Sequence, residues 1–428
     1  MTYPWTELIR CRQLSDDQVQ LVLNNFALKH RPGGRVHRDM DFTAPRPRLP
    51  ALTSLRFFAA LHVVFFHLQA MKIMTNPGWF HDLASIGYVG VSLFFVLSGF
   101  ILVYTYAGRT TTVREFWRAR FARVYPAYLF SLLVTAPWFF IAVLKFDLPF
   151  FQWAKAHLKL AAFLEVTLLQ AWIPPAALVW NVVAWSLSVE AFFYLLFPFL
   201  LKAYQRMSRV HLICAAVFSW FMTLAISGAY VWRRPDGLAY VDSDTLSAFW
   251  LNAVKFHPLA RLPEFLMGMA CGFLFLRTRA NTKLALPLVL GGVAGCAVAG
   301  HFSTTIPYPI LHTSLLAPAF AAIVYGLALQ PRWVAILNLR PMVLLGDASY
   351  SLYLLHSMIL AIYFFDPKGG GIRHKSPAGI LIGIVIVCTV SMLVYRFIEE
   401  PARRKLRGKQ KERPVPEAGQ PPIQPALA

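Results

Sequence analysis

Residues 87–106 read GYVGVSLFFVLSGFILVYTY, twenty positions without a charge. As a helix rising about 1.5 Å per residue they are ~30 Å long, the thickness of a bilayer's hydrocarbon core. Comparable apolar blocks recur at roughly 52–71, 124–144, 158–173, 186–201, 210–231, 257–276, 284–303, 311–330, 342–364 and 378–398, which makes eleven. Composition agrees: of 428 residues 57% are hydrophobic and only 14% charged, against about 25% charged in a soluble domain. The charged shell of a water-soluble fold is missing. An all-α, polytopic integral membrane protein is expected.

The basic residues decide which blocks cross. The net charge is +21, carried between the apolar blocks and at both ends, as in cytoplasmic loops of membrane proteins. Nothing resembles a separate nucleic-acid module, so no nucleic-acid partner is expected. Arg31, Arg35, Arg38, Arg46 and Arg48 place the N-terminus inside. If block 158–173 crosses, Lys202, Arg206, Arg209 and the cluster Arg403, Arg404, Lys405, Arg407 fall outside. If it does not, every strongly basic connection is cytoplasmic. About ten transmembrane helices with both termini cytoplasmic are therefore predicted, with 145–184 an external loop holding a re-entrant or interfacial segment.

Residues 1–50 and 406–428 are expected to be disordered cytoplasmic tails around a single multi-span domain, 51–405, because neither tail can bury enough apolar surface to fold. Met40 is a second candidate start, and the first apolar block reads as an uncleaved insertion signal. No internal repeat is visible, which weighs against repeat-built transporter folds. Cys11, Cys214, Cys271, Cys296 and Cys388 are scattered and odd in number, arguing against a disulfide framework or a zinc site. No metal is expected.

Ionisable groups inside spans are costly and point to function. The first span, LTSLRFFAALHVVFFHL at 52–68, carries Arg56 and His67. Eleven positions at about 100° each put both on one helix face, ~16 Å apart along the axis. Arg56 falls near the cytoplasmic edge and His67 near mid-membrane. A long ligand entering from the cytoplasm would meet a cation for its anionic part and a base at its reacting end. The alternative is a charge anchor and a packing histidine. His62, about 140° around from His67, reads as packing or interfacial.

Other polar groups stand out. Ser92 interrupts the second span. Arg120 and Arg123, in RARFARVYP, share a face if helical and suit a phosphate or pyrophosphate; a plain basic loop is the alternative. Glu190 lies in NVVAWSLSVEAFFYLLFP, where an unpaired carboxylate is expensive, with Asn181, Trp185 and Ser186 near the same end. Catalysis and a helix-pairing polar network both explain them. Arg261 and Glu264, three apart, form either an internal ion pair or part of a substrate mouth. In GDASYSLYLLH, His356 lies ~13 Å deeper than Asp347 and is a second mid-membrane candidate.

Six of these strings, in order, resemble membrane acyltransferase family 3, the polysaccharide and lipid O-acyltransferases. LTSLRFFAALHVVFFH is similar to the family's first helix and GYVGVSLFFVLSGF to its second. RARFARVYPAY resembles its RxxR motif, and AWSLSVEAFFYLLFP, SYSLYLLH and RFIEEPARR its later landmarks. The resemblance covers nearly all of 50–405. It implies a bacterial plasma-membrane enzyme moving a short acyl group, acetyl by default, from acyl-CoA as co-substrate to a hydroxyl of a sugar, polysaccharide, glycolipid or related acceptor, with no tightly bound cofactor. It also implies His67 and Glu190 as catalytic residues and Arg56, Arg120 and Arg123 as donor-binding residues; Ser92, as a buried donor, is a candidate to stabilise the oxyanion. Ser92 stands where the family often has an aspartate, and Ala191 where it often has a second glutamate. No esterase-like domain follows the last helix, which implies a stand-alone enzyme. A transporter or flippase for a lipid-linked sugar, or a non-catalytic partner in polysaccharide synthesis, are the rival readings.

Overall fold

A computed structural model describes residues 46–407, apart from 76–77, 146–150, 244, 247, 279–280, 314 and 367–370. Most of both expected tails, together with Met40 and Cys11, lies outside the described residues. The described residues fall in one compact unit. Ten helical segments are long and apolar enough to cross a membrane. They are α1 (Pro50–Ala70), α2 (Gly87–Tyr106), α3 (Val113–Lys145), α4 (Trp185–Gln205), α5 (Arg209–Arg233), α6 (Phe249–Arg277), α7 (Thr282–His301), α8 (Tyr308–Ala328), α9 (Arg340–Phe364) and α10 (Pro377–Leu406). Among the described residues the one strand-like pairing is a bridge between Phe365 and Ile372.

The eleventh apolar block does not form a spanning helix. Block 158–173 holds only the nine-residue helix Leu158–Val166 and a 3₁₀ turn at Gln170–Trp172, with the short helix Gln152–Ala156 before it and a second 3₁₀ turn at Pro174–Ala176 after it. Leu168, with φ 58°, turns the chain in the left-handed region that non-glycine residues rarely adopt, and Pro174 and Pro175 follow. The carboxyl of Glu165 is wholly buried here. Its Oε1 accepts from the Trp180 backbone N–H at 3.2 Å, and its Oε2 lies 3.0 Å from the Tyr128 hydroxyl. Burial pushes the Glu165 carboxyl up to about 8.

Small residues set the closest helix contacts. A Cβ on Gly99 of α2 would collide with the Phe265 carbonyl oxygen of α6 and stand 2.8 Å from the Met269 nitrogen; one on Gly268 would collide with the Val96 carbonyl oxygen. The two backbones touch because neither glycine has a side chain, the usual way helices associate where lipid supplies no hydrophobic drive. Gly346 brings α9 against Thr53 of α1 in the same way. Outward faces are apolar, with Phe218, Leu290 and Leu381 exposed, as lipid-facing surface requires. α3, at 33 residues, is ~50 Å long, so it reaches past a bilayer core and carries the arginines of its N-terminal half with it. α10 contains a π-helical turn at Tyr395–Glu399, a distortion common at functional sites.

Candidate active site

α1, α2, α3, α4, α9 and α10 line a cavity of about 390 Å³. Arg56, Arg120, Arg123, Ser186 and Glu190 all line it, so the fold gathers five of the singled-out side chains from three helices. Each is positioned. Glu190 Oε1 accepts from Ser98 Oγ at 3.1 Å and from the Tyr194 hydroxyl one turn along α4. Arg123 Nη1 lies 2.9 Å from Glu399 Oε1, presented by the π-turn of α10, while Glu399 Oε2 accepts from Ser351 Oγ at 2.7 Å. Arg120 faces the rings of Tyr106, Phe116 and Tyr194 at 5.7–5.8 Å and donates to the Tyr106 hydroxyl at 3.3 Å.

A second chamber of about 670 Å³ adjoins the first. The two share Arg56, Ile101, Thr105, Asp347 and Arg403. The second adds Arg46, Arg48, Arg109 and Arg340, and Asp347 is its one carboxylate. Arg46 is committed to the end of α2, donating to the Ala107 carbonyl at 2.7 Å and to that of Tyr104. The guanidinium groups of Arg56, Arg109 and Arg340 are in no hydrogen bond or ion pair among the described residues. The chamber is strongly positive, with charge chemistry that suits a phosphate-bearing ligand.

His67 lines neither chamber. It lies three turns along α1 from Arg56, on an unbroken helix, and meets His356 of α9. Their ring centroids are 4.8 Å apart, with His356 Nε2 3.2 Å from His67 Nδ1. His67 Nδ1 is also 2.9 Å from the Val63 carbonyl oxygen, and His356 Nδ1 is 2.8 Å from that of Tyr353. His356 is wholly buried, whereas His67 keeps accessible surface. The Tyr353 ring links cavity to histidines: it lines the first cavity, and its centroid is 6.0 Å from that of His356. The cavity thus ends within one helical turn, ~4.5 Å of rise, of the histidine pair.

The remaining candidates go elsewhere. Ser92, Trp185, Arg261 and Glu264 form a separate buried cluster. Arg261 donates to Ser92 Oγ at 2.9 Å and to the His312 carbonyl at 3.0 Å, pairs with Glu264 at 3.0 Å, and lies against the Trp185 ring. The Ser92 oxygen is therefore engaged by a cation. Asn181 donates to the Leu354 carbonyl at 3.1 Å, tying its segment to α9. Glu190 has no hydrogen bond to His67 among the described residues. His62 bonds the Leu83 carbonyl oxygen at 2.7 Å, a packing role. Tyr194, Ser98, Tyr353, Asp347 and Glu399 complete the site without having been singled out for it. Tyr194 was legible as the i+4 neighbour of Glu190 on one helix face, and Tyr353 as the i−3 neighbour of His356. Ser98 and Glu399 come from distant helices and left no such signal. Among the described residues no three His, Cys, Asp or Glu side chains converge as a metal site.

With this geometry in place, the chain can be set beside known proteins. A family model described as an acyltransferase domain matches residues 49–396. Acyltransferase MdmB of Streptomyces mycarofaciens is 28% identical over 398 residues, 87% of this chain and 96% of that protein. O-acetyltransferase OatA of Staphylococcus aureus is 26% identical over 382 residues, 83% of this chain and 57% of that protein. The putative peptidoglycan O-acetyltransferase YrhL of Bacillus subtilis is 27% identical over 386 residues, with 83% and 55% covered. The chain thus spans little more than half the length of the last two. No solved structure matches.

Proposed function

The chain belongs to acyltransferase family 3, and from that premise we propose that it moves an acetyl or other short acyl group from acyl-CoA to the hydroxyl of a sugar, cell-surface polysaccharide, glycolipid or related acceptor at the bacterial plasma membrane. The observation that carries this reading is the continuity from the arginine chamber, through Arg56 and the first cavity, to Tyr353 and the histidine pair. The donor's phosphates occupy the arginine chamber, on the cytoplasmic side with both chain termini. Its acyl-pantetheine arm extends along the cavity towards His67, a distance of ~16 Å from Arg56 that an extended arm covers.

Arg123 has a carboxylate partner in Glu399 and Arg120 an aromatic one, so in this reading both shape and charge the cavity, while Arg56, Arg109 and Arg340 meet the phosphates. Glu190, held by Ser98 and Tyr194, is a fixed acceptor for the arm's amide N–H groups. His67, as neutral imidazole, takes the proton from the acceptor hydroxyl as that oxygen attacks the thioester carbonyl carbon. The carbon–sulfur bond then breaks, and the proton passes from His67 to the departing thiolate, leaving an ester and free CoA.

Free CoA release from acetyl-CoA by the purified protein in detergent, with and without candidate acceptors, tests this. Positioned base catalysis supplies about 10²–10⁴-fold, so His67→Ala is expected to lose acceptor-dependent release by that factor while remaining folded. Undiminished release in His67→Ala, or no acetyl-CoA consumption by the parent protein with any acceptor, overturns it.

A further inference from the structure

Among the described residues no carboxylate hydrogen-bonds His67. The position where such a group is expected on α2 is Ser92, and Ser92 Oγ accepts from Arg261 instead. What faces His67 is another imidazole, and the hydrogen bonds around the two rings dictate their protonation. His356 Nδ1 lies 2.8 Å from the Tyr353 carbonyl oxygen and 3.3 Å from that of Leu352. Carbonyl oxygens only accept, so this nitrogen carries the proton. A neutral imidazole has one N–H, which leaves His356 Nε2 as a lone pair. That lone pair is 3.2 Å from His67 Nδ1, and the Val63 carbonyl oxygen is 2.9 Å from the same nitrogen. With acceptors on both sides, His67 Nδ1 must be the donor, and its free lone pair falls on Nε2.

We infer that His356 is a positioning residue for His67: by accepting the Nδ1 proton it holds His67 in the tautomer that presents a basic Nε2 to the acceptor hydroxyl. This rests on the proposed transferase reading for its purpose, but the tautomer assignment stands on geometry alone. When Nε2 takes the acceptor's proton, the Nδ1–H becomes the hydrogen of an imidazolium, and its bond to His356 strengthens as a charge-assisted one. No proton passes to His356, and none is consumed or released beyond the transfer already described. His356 is wholly buried and does not touch substrate. The arrangement replaces a carboxylate with a neutral acceptor, which avoids burying an uncompensated anion at mid-membrane.

Two substitutions separate positioning from packing. Glutamine carries its amide where imidazole has Nε2, so in His356→Gln the amide oxygen still accepts from His67 Nδ1. Asparagine carries its amide where imidazole has Nδ1, so His356→Asn keeps the bond to its own helix carbonyl and loses His67. Expected are a fall in kcat on the order of 10²-fold in His356→Asn with KM for the donor unchanged, and retention within about threefold in His356→Gln. Equal activities in the two folded variants, high or low, overturn the inference.

A second measurement is independent of turnover and of variant folding. Diethyl pyrocarbonate attacks a free imidazole lone pair, so peptide mapping of the treated parent protein should find His67 modified well ahead of His356. Modification of His356 as fast as His67 sinks the assignment even if the transferase reading holds. Absence of transfer with the expected labelling sinks the transferase reading and leaves the assignment standing.

Discussion

Arg123 on α3 and Glu399 in the π-turn of α10 form an ion pair at 2.9 Å, with the Glu399 side chain only 1% exposed. They are 276 positions apart in sequence, and the pair clamps the wall of the cavity where it meets the arginine chamber. A buried pair of this kind is stabilising only while both members are present. Removing one leaves an uncompensated charge, at a cost of about 3–5 kcal/mol.

Glu399→Gln is therefore expected to lower the thermal midpoint of the detergent-solubilised protein markedly. Arg123→Met with Glu399→Leu, which removes both charges, should recover much of that loss without recovering turnover. A melting curve for each variant decides it. If the double variant is no more stable than Glu399→Gln, the ion pair is not what holds this wall.

The arginine chamber makes a prediction about donor chemistry. Arg109→Gln and Arg340→Gln should each raise KM for acetyl-CoA about two- to fivefold, the value of a partly exposed charge contact, and added salt should shrink the difference. Acetyl-pantetheine lacks the phosphates, so the substitutions should change its KM much less. Equal effects on both donors would mean that the chamber does not bind phosphate.

Glu165 sets a pH dependence of stability. Its ordinary value of 4.5 is raised to about 8 in the folded protein, chiefly by burial. The folded state then holds a proton that the unfolded chain has released over that interval, so this residue's contribution to stability falls as pH rises from about 4.5 to about 8. Below that window the contribution is fully present. Protonated Glu165 can donate to the Tyr128 hydroxyl, and a glutamine amide can do the same. Glu165→Gln should match the parent near pH 4.5 and become progressively more stable relative to it towards pH 8. A melting difference that does not change with pH would refute this.

Gly268→Leu tests the contact of α2 and α6. A side chain there runs into the Val96 backbone, and backbone cannot move aside as a flexible side chain does. The substitution should abolish monodisperse protein on size-exclusion chromatography, whereas Gly291→Leu on α7, where nothing lies within 4 Å, should be tolerated. Normal behaviour of Gly268→Leu would show that the helices can part.

How much of the site was legible follows the range of the interactions. Arg56 and His67 share a helix, so their face and their ~16 Å separation are consequences of helical geometry alone. Arg120 and Arg123 do as well, and both reach the cavity. Ser92 is different. Its place in the chain suggested a group near the reaction, and packing gave it to Arg261 instead. Arg261 and Glu264 proved to be an internal ion pair with Ser92 and His312, one of the two alternatives their spacing left open.

The sequence by itself determined the ten spanning helices and the non-spanning segment between the third and fourth, because the cost of unpaired peptide groups in lipid makes long apolar runs helical and the placement of the basic connections excludes block 158–173. It also determined which residues would be expensive to bury. Which of those residues meet was decided only by the tertiary structure. His67 and His356 are 289 positions apart, and nothing local brings their rings together. That depends on Gly346 letting α9 lie against α1, a matter of close packing between surfaces that no single helix contains.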